Sequence, residues 1–160
     1  MDELLEEAIE DMKGSLRRAD HSYYVSLKYS RTVDVIRNLL ERYVTTLCYM
    51  MNALLEYKRF KGEIESVSTT LIERVGQVRE LFPEEEDIVE SLDFLLFLRK
   101  VLRAEHGKCE EFRRHVTMIV KVEGEEYHID IDLLGEYYES IKSIINRAIR
   151  VVEELPDDDN

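Results

Sequence analysis

Apolar side chains recur along most of this chain at intervals of three and four residues, which is the spacing of one face of an α-helix. The longest series steps four, three, four, three throughout, and its members are Tyr29, Val33, Ile36, Leu40, Tyr43, Leu47, Met50, Leu54 and Tyr57. It predicts a long second helix over about residues 22–60, which would measure roughly 58 Å at about 1.5 Å per residue. Because that length exceeds the width of one small domain, we expect either a bend near residues 30–32 or pairing of the excess length with a second copy of the chain.

The same period predicts four further helices. The first covers about residues 2–18, the third about 64–82, the fourth about 84–107 and the last about 132–155. Glycine is favoured directly after a helix end, so we expect the fourth helix to stop at Gly107.

Between the fourth and the last helix the period changes to two. One alternating series carries Val116, Met118, Val120 and Val122, and a second carries Tyr127, Ile129 and Ile131. The turn between them contains Gly124, so the pattern predicts a β-hairpin over about residues 114–131. A lone hairpin is marginal in water, and its apolar face should therefore pack on the helices. Asp132 is then expected to cap the last helix.

The predicted fold class is mainly α, a bundle of about five helices with one β-hairpin before the last helix. Hydrophobic residues make up 44% of the 160 positions and charged residues 36%, a balance typical of a globular, charge-rich protein. A chain of this size buries about two thirds of its unfolded surface, so one domain over 1–155 needs no metal or disulfide. Residues 156–160 are predicted to be a disordered acidic tail.

The composition also bears on the compartment. The chain has two lone cysteines, no basic and apolar leader at its start and no long uninterrupted apolar run, which together predict a cytoplasmic protein with no membrane association. It carries few Asn and Gln beside many charged side chains, a bias that favours a heat-adapted protein.

Charge is distributed unevenly along the chain. The net charge of −13 argues against a protein that coats nucleic acids generally. Residues 99–115, however, hold six Lys or Arg against three Glu, which favours a local binding site for RNA or a nucleotide there. The candidate binding residues are Lys100, Arg103, Lys108, Arg113 and Arg114. The alternative is a chance cluster of cations on a solvated face.

Arg99 and His106 are the candidate catalytic residues. Seven residues apart in the predicted fourth helix, they would share one face and continue the apolar stripe that starts at Ile88. A metal-independent ribonuclease needs a group that takes the 2′-hydroxyl proton and a cation that stabilises charge on the phosphate, and His and Arg supply both. The alternative is a pair of ordinary helix-end residues, since cations are favoured near the end of a helix.

The segment Arg99-Lys100-Val101-Leu102-Arg103-Ala104-Glu105-His106 resembles the signature of HEPN domains, which place an Arg, four to six residues and a His near a helix end in a small helical bundle. The resemblance in layout covers about residues 20–154. It implies that the protein binds or cleaves RNA or nucleotides without a metal. It also implies a homodimer in which each copy supplies one Arg and His pair to a shared cleft.

Two other possibilities follow from the residues. Glu126, His128 and Asp130 alternate on one strand face in a spacing that metal ligands can adopt, but such a face is usually just the solvent side of a hairpin. We therefore expect no metal and no cofactor. The rival function is a non-catalytic dimerisation or scaffold module, whose long heptad series recruits a second copy or a partner protein.

Overall fold

The computed structural model describes residues 1–157 and contains five main helices and one sheet. The helices are α1 (Glu3–His21), α2 (Val33–Phe60), α3 (Leu71–Leu81), α4 (Glu86–Arg103) and α5 (Ile131–Val152). The strands are β1 (His106–Cys109), β2 (Thr117–Val122) and β3 (Glu125–Asp130), and they form an antiparallel sheet in the order β1-β2-β3. The mainly α fold with a hairpin before the last helix is thus confirmed, with one more strand than predicted. None of the helices in residues 1–157 combines the length and the apolar content that a membrane span requires.

Helix α2 lies at the centre of the bundle, and the four other helices all pack on it. Its heptad series is fully buried between residues 33 and 54, whereas the first member, Tyr29, is 80% exposed. Each buried Leu or Ile side chain contributes about 1.5–3 kcal/mol relative to its exposed state. The heptad series of α2 therefore forms the core within one chain.

The predicted second helix is interrupted at residues 30–32, the region where we predicted a bend. Ser30 has an extended backbone with φ −145°, and Thr32 caps the new helix by accepting a hydrogen bond from the Val35 N–H at 3.2 Å. Residues 22–29 instead prolong α1 through a π-helical segment, Ser22–Ser26, and one α-helical turn, Leu27–Tyr29. The prediction that the second helix starts at residue 22 is therefore wrong. The heptad spacing continues from the end of the first helical segment into the start of α2, so it does not mark the boundary between them.

Two polar contacts fix α1 antiparallel to α2. The Ser15 and Thr46 hydroxyl oxygens are 2.7 Å apart in the buried interface, and the Arg59 guanidinium at the end of α2 donates to the Asp2 carboxylate at 2.8 Å. The last turns of α1 consequently lie beside the first half of α2.

The boundaries of three predicted helices also need correction. Helix α4 ends at Arg103, so Gly107 lies in β1 and does not terminate the helix. Helix α3 starts at Leu71 and not near residue 64, because Thr70 caps it by accepting from the Glu73 N–H at 3.3 Å. Both boundaries depend on helix capping and strand pairing, which the spacing of apolar residues does not reveal.

The start of α5 is set by Asp130. Its carboxylate accepts a hydrogen bond from the Leu133 N–H at 2.9 Å, so Asp130, and not Asp132, is the cap. At the far end, the Asp157 carboxylate contacts the Arg147 guanidinium. Of the tail predicted to be disordered, residues 158–160 lie outside the described residues.

Gly135 in α5 leaves room for Tyr23 of the π-helical segment. A Cβ atom at position 135 would lie 2.3 Å from the Tyr23 hydroxyl oxygen and 3.0 Å from its Cζ, and the Tyr23 ring is held by stacking on Tyr138 at 5.8 Å between centroids. Gly135→Ala is expected to displace this ring and lower the free energy of unfolding in urea by about 1–3 kcal/mol.

The matched background is Tyr23→Ala, which removes the obstructing ring. There Gly135→Ala should instead stabilise the protein, by up to about 1 kcal/mol, because alanine is the better helix former. An equal loss in both backgrounds would show that the contact with Tyr23 is not the cause.

Candidate functional site

Arg99 and His106 lie on different elements. Arg99 is half-buried in α4, whereas His106 is in β1, where it pairs with Val120 of β2. The prediction that they share one helix face is wrong, because α4 ends between them. The apolar stripe continues through Leu98, which is fully buried, and not through Arg99.

The charge of Arg99 acts on a cysteine of α2. Burial raises the pKa of the Cys48 thiol on that helix, and the positive charges of Arg99 and Arg74 oppose the rise. With its pKa raised, the thiol stays protonated near neutral pH and is a poor nucleophile.

The other candidate binding residues divide into two groups. Lys100 pairs with Glu123 at 2.5 Å, which lowers the pKa of that carboxyl, and Lys108 lies 3.7 Å from Glu111. Arg103, Arg113 and Arg114 are exposed and have no carboxylate within ion-pair distance among residues 1–157. The unneutralised charge is therefore carried mainly by the loop between β1 and β2.

That loop is anchored to the start of α2. The Phe112 N–H donates to the Arg31 carbonyl at 2.6 Å, and the Glu111 carboxylate accepts from the Val33 N–H at 3.3 Å. Glu110 and Phe112 have φ values of 52° and 65°, a conformation that costs non-glycine residues energy and persists only where contacts enforce it. The loop thus holds one defined shape.

Two aromatic rings project from these anchored segments into solvent. Tyr29 is 80% exposed and Phe112 is 76% exposed, more than any other large hydrophobic side chain in residues 1–157. Such rings on a constrained backbone are typical of a binding surface, because they offer contact area at little entropic cost. We refer to this region as the Phe112 surface, and it consists of Tyr29, Arg31, Phe112, Arg113, Arg114 and His115.

A cavity of about 170 Å³ opens within the Phe112 surface. Three basic residues line it, Arg31, Arg114 and His115, together with Asp130, Ile131 and Asp132. Asp130 is already engaged as the cap of α5. The two guanidinium groups, from distant parts of the sequence, are thus brought to one place by the fold.

Sequence reasoning found Arg113 and Arg114 but missed the aromatic members and Arg31. Tyr29 was assigned to the heptad series of the second helix, and Arg31 to its bend. A usable signal was present at Phe112, a single aromatic residue inside the polar run Glu110-Glu111-Phe112-Arg113-Arg114-His115.

The alternating acids and histidine of β3 are engaged in other contacts. His128 lies 3.1 Å from Glu126, and Asp130 caps α5. Within residues 1–157, no three His, Cys, Asp or Glu side chains come together as metal ligands would.

Comparison with known proteins finds no family model, no curated protein and no solved structure that matches this chain. The resemblance to HEPN domains therefore stays a prediction. Functional conclusions about this chain rest on its own residues.

Proposed function

We propose that this protein binds single-stranded RNA at the Phe112 surface. The observation that carries the proposal is that the two most exposed rings, Tyr29 and Phe112, lie within two positions of arginines along the chain. These arginines are Arg31, Arg113 and Arg114, and none of them makes an ion pair in residues 1–157. Aromatic rings stack on unpaired bases, and arginine guanidinium groups pair with phosphates. The Phe112 N–H bond to the Arg31 carbonyl joins the loop that carries Phe112 to the segment that carries Tyr29 and Arg31.

The arrangement favours a single strand over a duplex. A ring can stack on a base only where that base is free of its helix. The cationic charge of the surface is also modest, in a chain with a net charge of −13. Three arginines predict a slope of about −2 for the logarithm of affinity against the logarithm of salt concentration.

The proposed activity is binding and not cleavage. Arg99 and His106, which would supply the chemistry of a ribonuclease, lie in α4 and β1 and belong to no common helix face. RNA is proposed as the ligand because of the resemblance to HEPN domains, and the same resemblance is the reason for proposing a homodimer.

Light scattering would measure the oligomeric state. The cytoplasmic location and the heat-adapted host stay predictions from composition.

The test is the affinity for a short fluorescein-labelled oligouridylate, measured by fluorescence anisotropy without magnesium. Phe112→Ala should weaken binding by about tenfold, the loss of one stacked base. Arg114→Gln should weaken binding and make the salt dependence shallower by about 0.7 in slope.

Matched controls are available elsewhere in the chain. Phe60→Ala removes a ring that is 42% exposed at the end of α2, and Lys142→Gln removes an exposed charge from α5. Both should leave the affinity unchanged. Absence of binding, or an equal loss in Phe60→Ala, would contradict the proposal, and RNA that is cut by the wild type but not by His106→Ala would replace binding with catalysis.

A further inference from the structure

A second group of cations lines a groove between α1 and α2 that shares no residue with the Phe112 surface. The groove has a volume of about 240 Å³. Its lining consists of Gly14, Arg17, Arg18, His21, Ser22 and Arg42. We call it the α1–α2 groove.

The register of the two helices brings these residues together. The Ser15 and Thr46 contact at 2.7 Å places the last turns of α1 beside Arg42. Gly14 has no side chain, and a Cβ atom there would lie 3.3 Å from Nη1 of Arg18 and 3.6 Å from Nη2 of Arg17. Both guanidinium groups therefore lie over the same backbone position.

Carboxylates are missing from this lining. Arg17, Arg18 and Arg42 make no ion pair within residues 1–157. The cavity of the Phe112 surface and two further cavities that α5 lines each have at least two acidic residues in their walls. In a chain with a net charge of −13, an acid-free cluster of arginines repels itself, and a multiply charged anion would remove that repulsion.

We propose that the α1–α2 groove binds a polyphosphate chain, that is, two or more linked phosphoryl groups. The guanidinium fork matches phosphate oxygens and forms two hydrogen bonds at once. Three such groups, with His21 and the Ser22 hydroxyl, offer more donors than a single phosphoryl group needs. Pockets for whole organic ligands usually measure about 300–1,000 Å³, so this smaller groove suits the phosphate chain, and any attached nucleoside extends into solvent.

The test is isothermal titration of the full chain with sodium pyrophosphate in a phosphate-free buffer. The wild type should bind it, and Arg18→Gln and Arg42→Gln, on separate helices, should each weaken binding by about tenfold, the loss of one charge-assisted pair. Arg42→Lys keeps the charge but loses the fork, so it should fall between the wild type and Arg42→Gln.

Two controls each remove one positive charge outside both proposed sites. Lys142→Gln on α5 and Lys121→Gln on β2, both exposed, should bind pyrophosphate as the wild type does. If Lys142→Gln loses as much affinity as Arg42→Gln, the effect is one of overall charge and the proposal fails. Unchanged urea unfolding of each variant confirms that folding is intact.

Two further ligands identify the source of the phosphate chain. If ATP binds as tightly as pyrophosphate, the groove recognises the phosphate chain alone and not the nucleoside. Preference for an RNA with a 5′-triphosphate over the same RNA without it, abolished by Arg42→Gln, assigns the groove to RNA ends. Absence of binding to pyrophosphate, ATP and this RNA overturns the proposal, whereas the Phe112 surface is tested separately by the unphosphorylated oligouridylate.

Discussion

The free energy of unfolding is expected to fall by about 4–5 kcal/mol between about pH 10 and pH 12, because two buried tyrosines stay protonated in the folded protein. Burial raises the pKa of Tyr43 far above the ordinary tyrosine value. Burial, followed by the hydrogen bond to Asp20, raises the pKa of Tyr138 in the same way. The unfolded chain ionises these groups near pH 10, so it is stabilised increasingly as the pH rises further.

The direction follows from the raised values. A group whose pKa is raised by folding contributes its full stability below about pH 10 and loses it at higher pH, at about 1.4 kcal/mol per pH unit. Tyr43 is buried and donates to the Leu134 carbonyl at 2.9 Å, so its ionisation would remove that donor. Ionised Tyr138 would face the Asp20 carboxylate, which accepts a hydrogen bond from the neutral Tyr138 hydroxyl.

Urea unfolding at a series of pH values from neutral to strongly alkaline measures this dependence. Tyr43→Phe should remove about 2 kcal/mol of the alkaline loss, since one of the two tyrosines with the most strongly raised pKa no longer titrates. Tyr29→Phe is the control, because Tyr29 is 80% exposed and its removal should leave the slope unchanged. A slope that is the same in wild type and Tyr43→Phe would refute the assignment.

The helices and the hairpin could be predicted because apolar periodicity reports which face of an element is buried. The end of α4 could not be predicted in this way. Between Arg103 and His106 the sequence contains no helix breaker, and the chain leaves the helix there because β1 pairs with β2, with His106 opposite Val120 and Cys109 opposite Thr117. That pairing joins residues 8 to 14 positions apart, and the apolar period of the helix does not report it.

The same limit applies to the candidate surfaces. Arg31 and Phe112 are joined by one backbone hydrogen bond across 81 positions, and Phe112 adopts a left-handed conformation that nothing in its residue type predicts. In the sequence alone, Arg17 and Arg18 are ordinary cations near the end of α1. Only the antiparallel packing of α2 places Arg42 beside them. The distribution of charge along the sequence predicted part of the Phe112 surface but no part of the α1–α2 groove.

Tyr43→Ala is expected to lower the free energy of unfolding by about 3–5 kcal/mol, as for other large aromatic residues removed from a core. The ring is fully buried on the face of α2 that contacts α5. Because small domains are stable by only about 5–15 kcal/mol, this single change should bring the protein close to unfolding.

Tyr43→Phe separates the ring from its hydroxyl. It keeps the packing and removes only the bond to the Leu134 carbonyl, so the loss should be about 1 kcal/mol. Tyr49→Ala removes the same atoms from a half-buried position on the same helix and should cost less than Tyr43→Ala. Equal losses at positions 43 and 49, measured by urea unfolding at neutral pH, would mean that the cavity beside α5 collapses on truncation, since the cost of a core truncation depends on how fully its cavity closes.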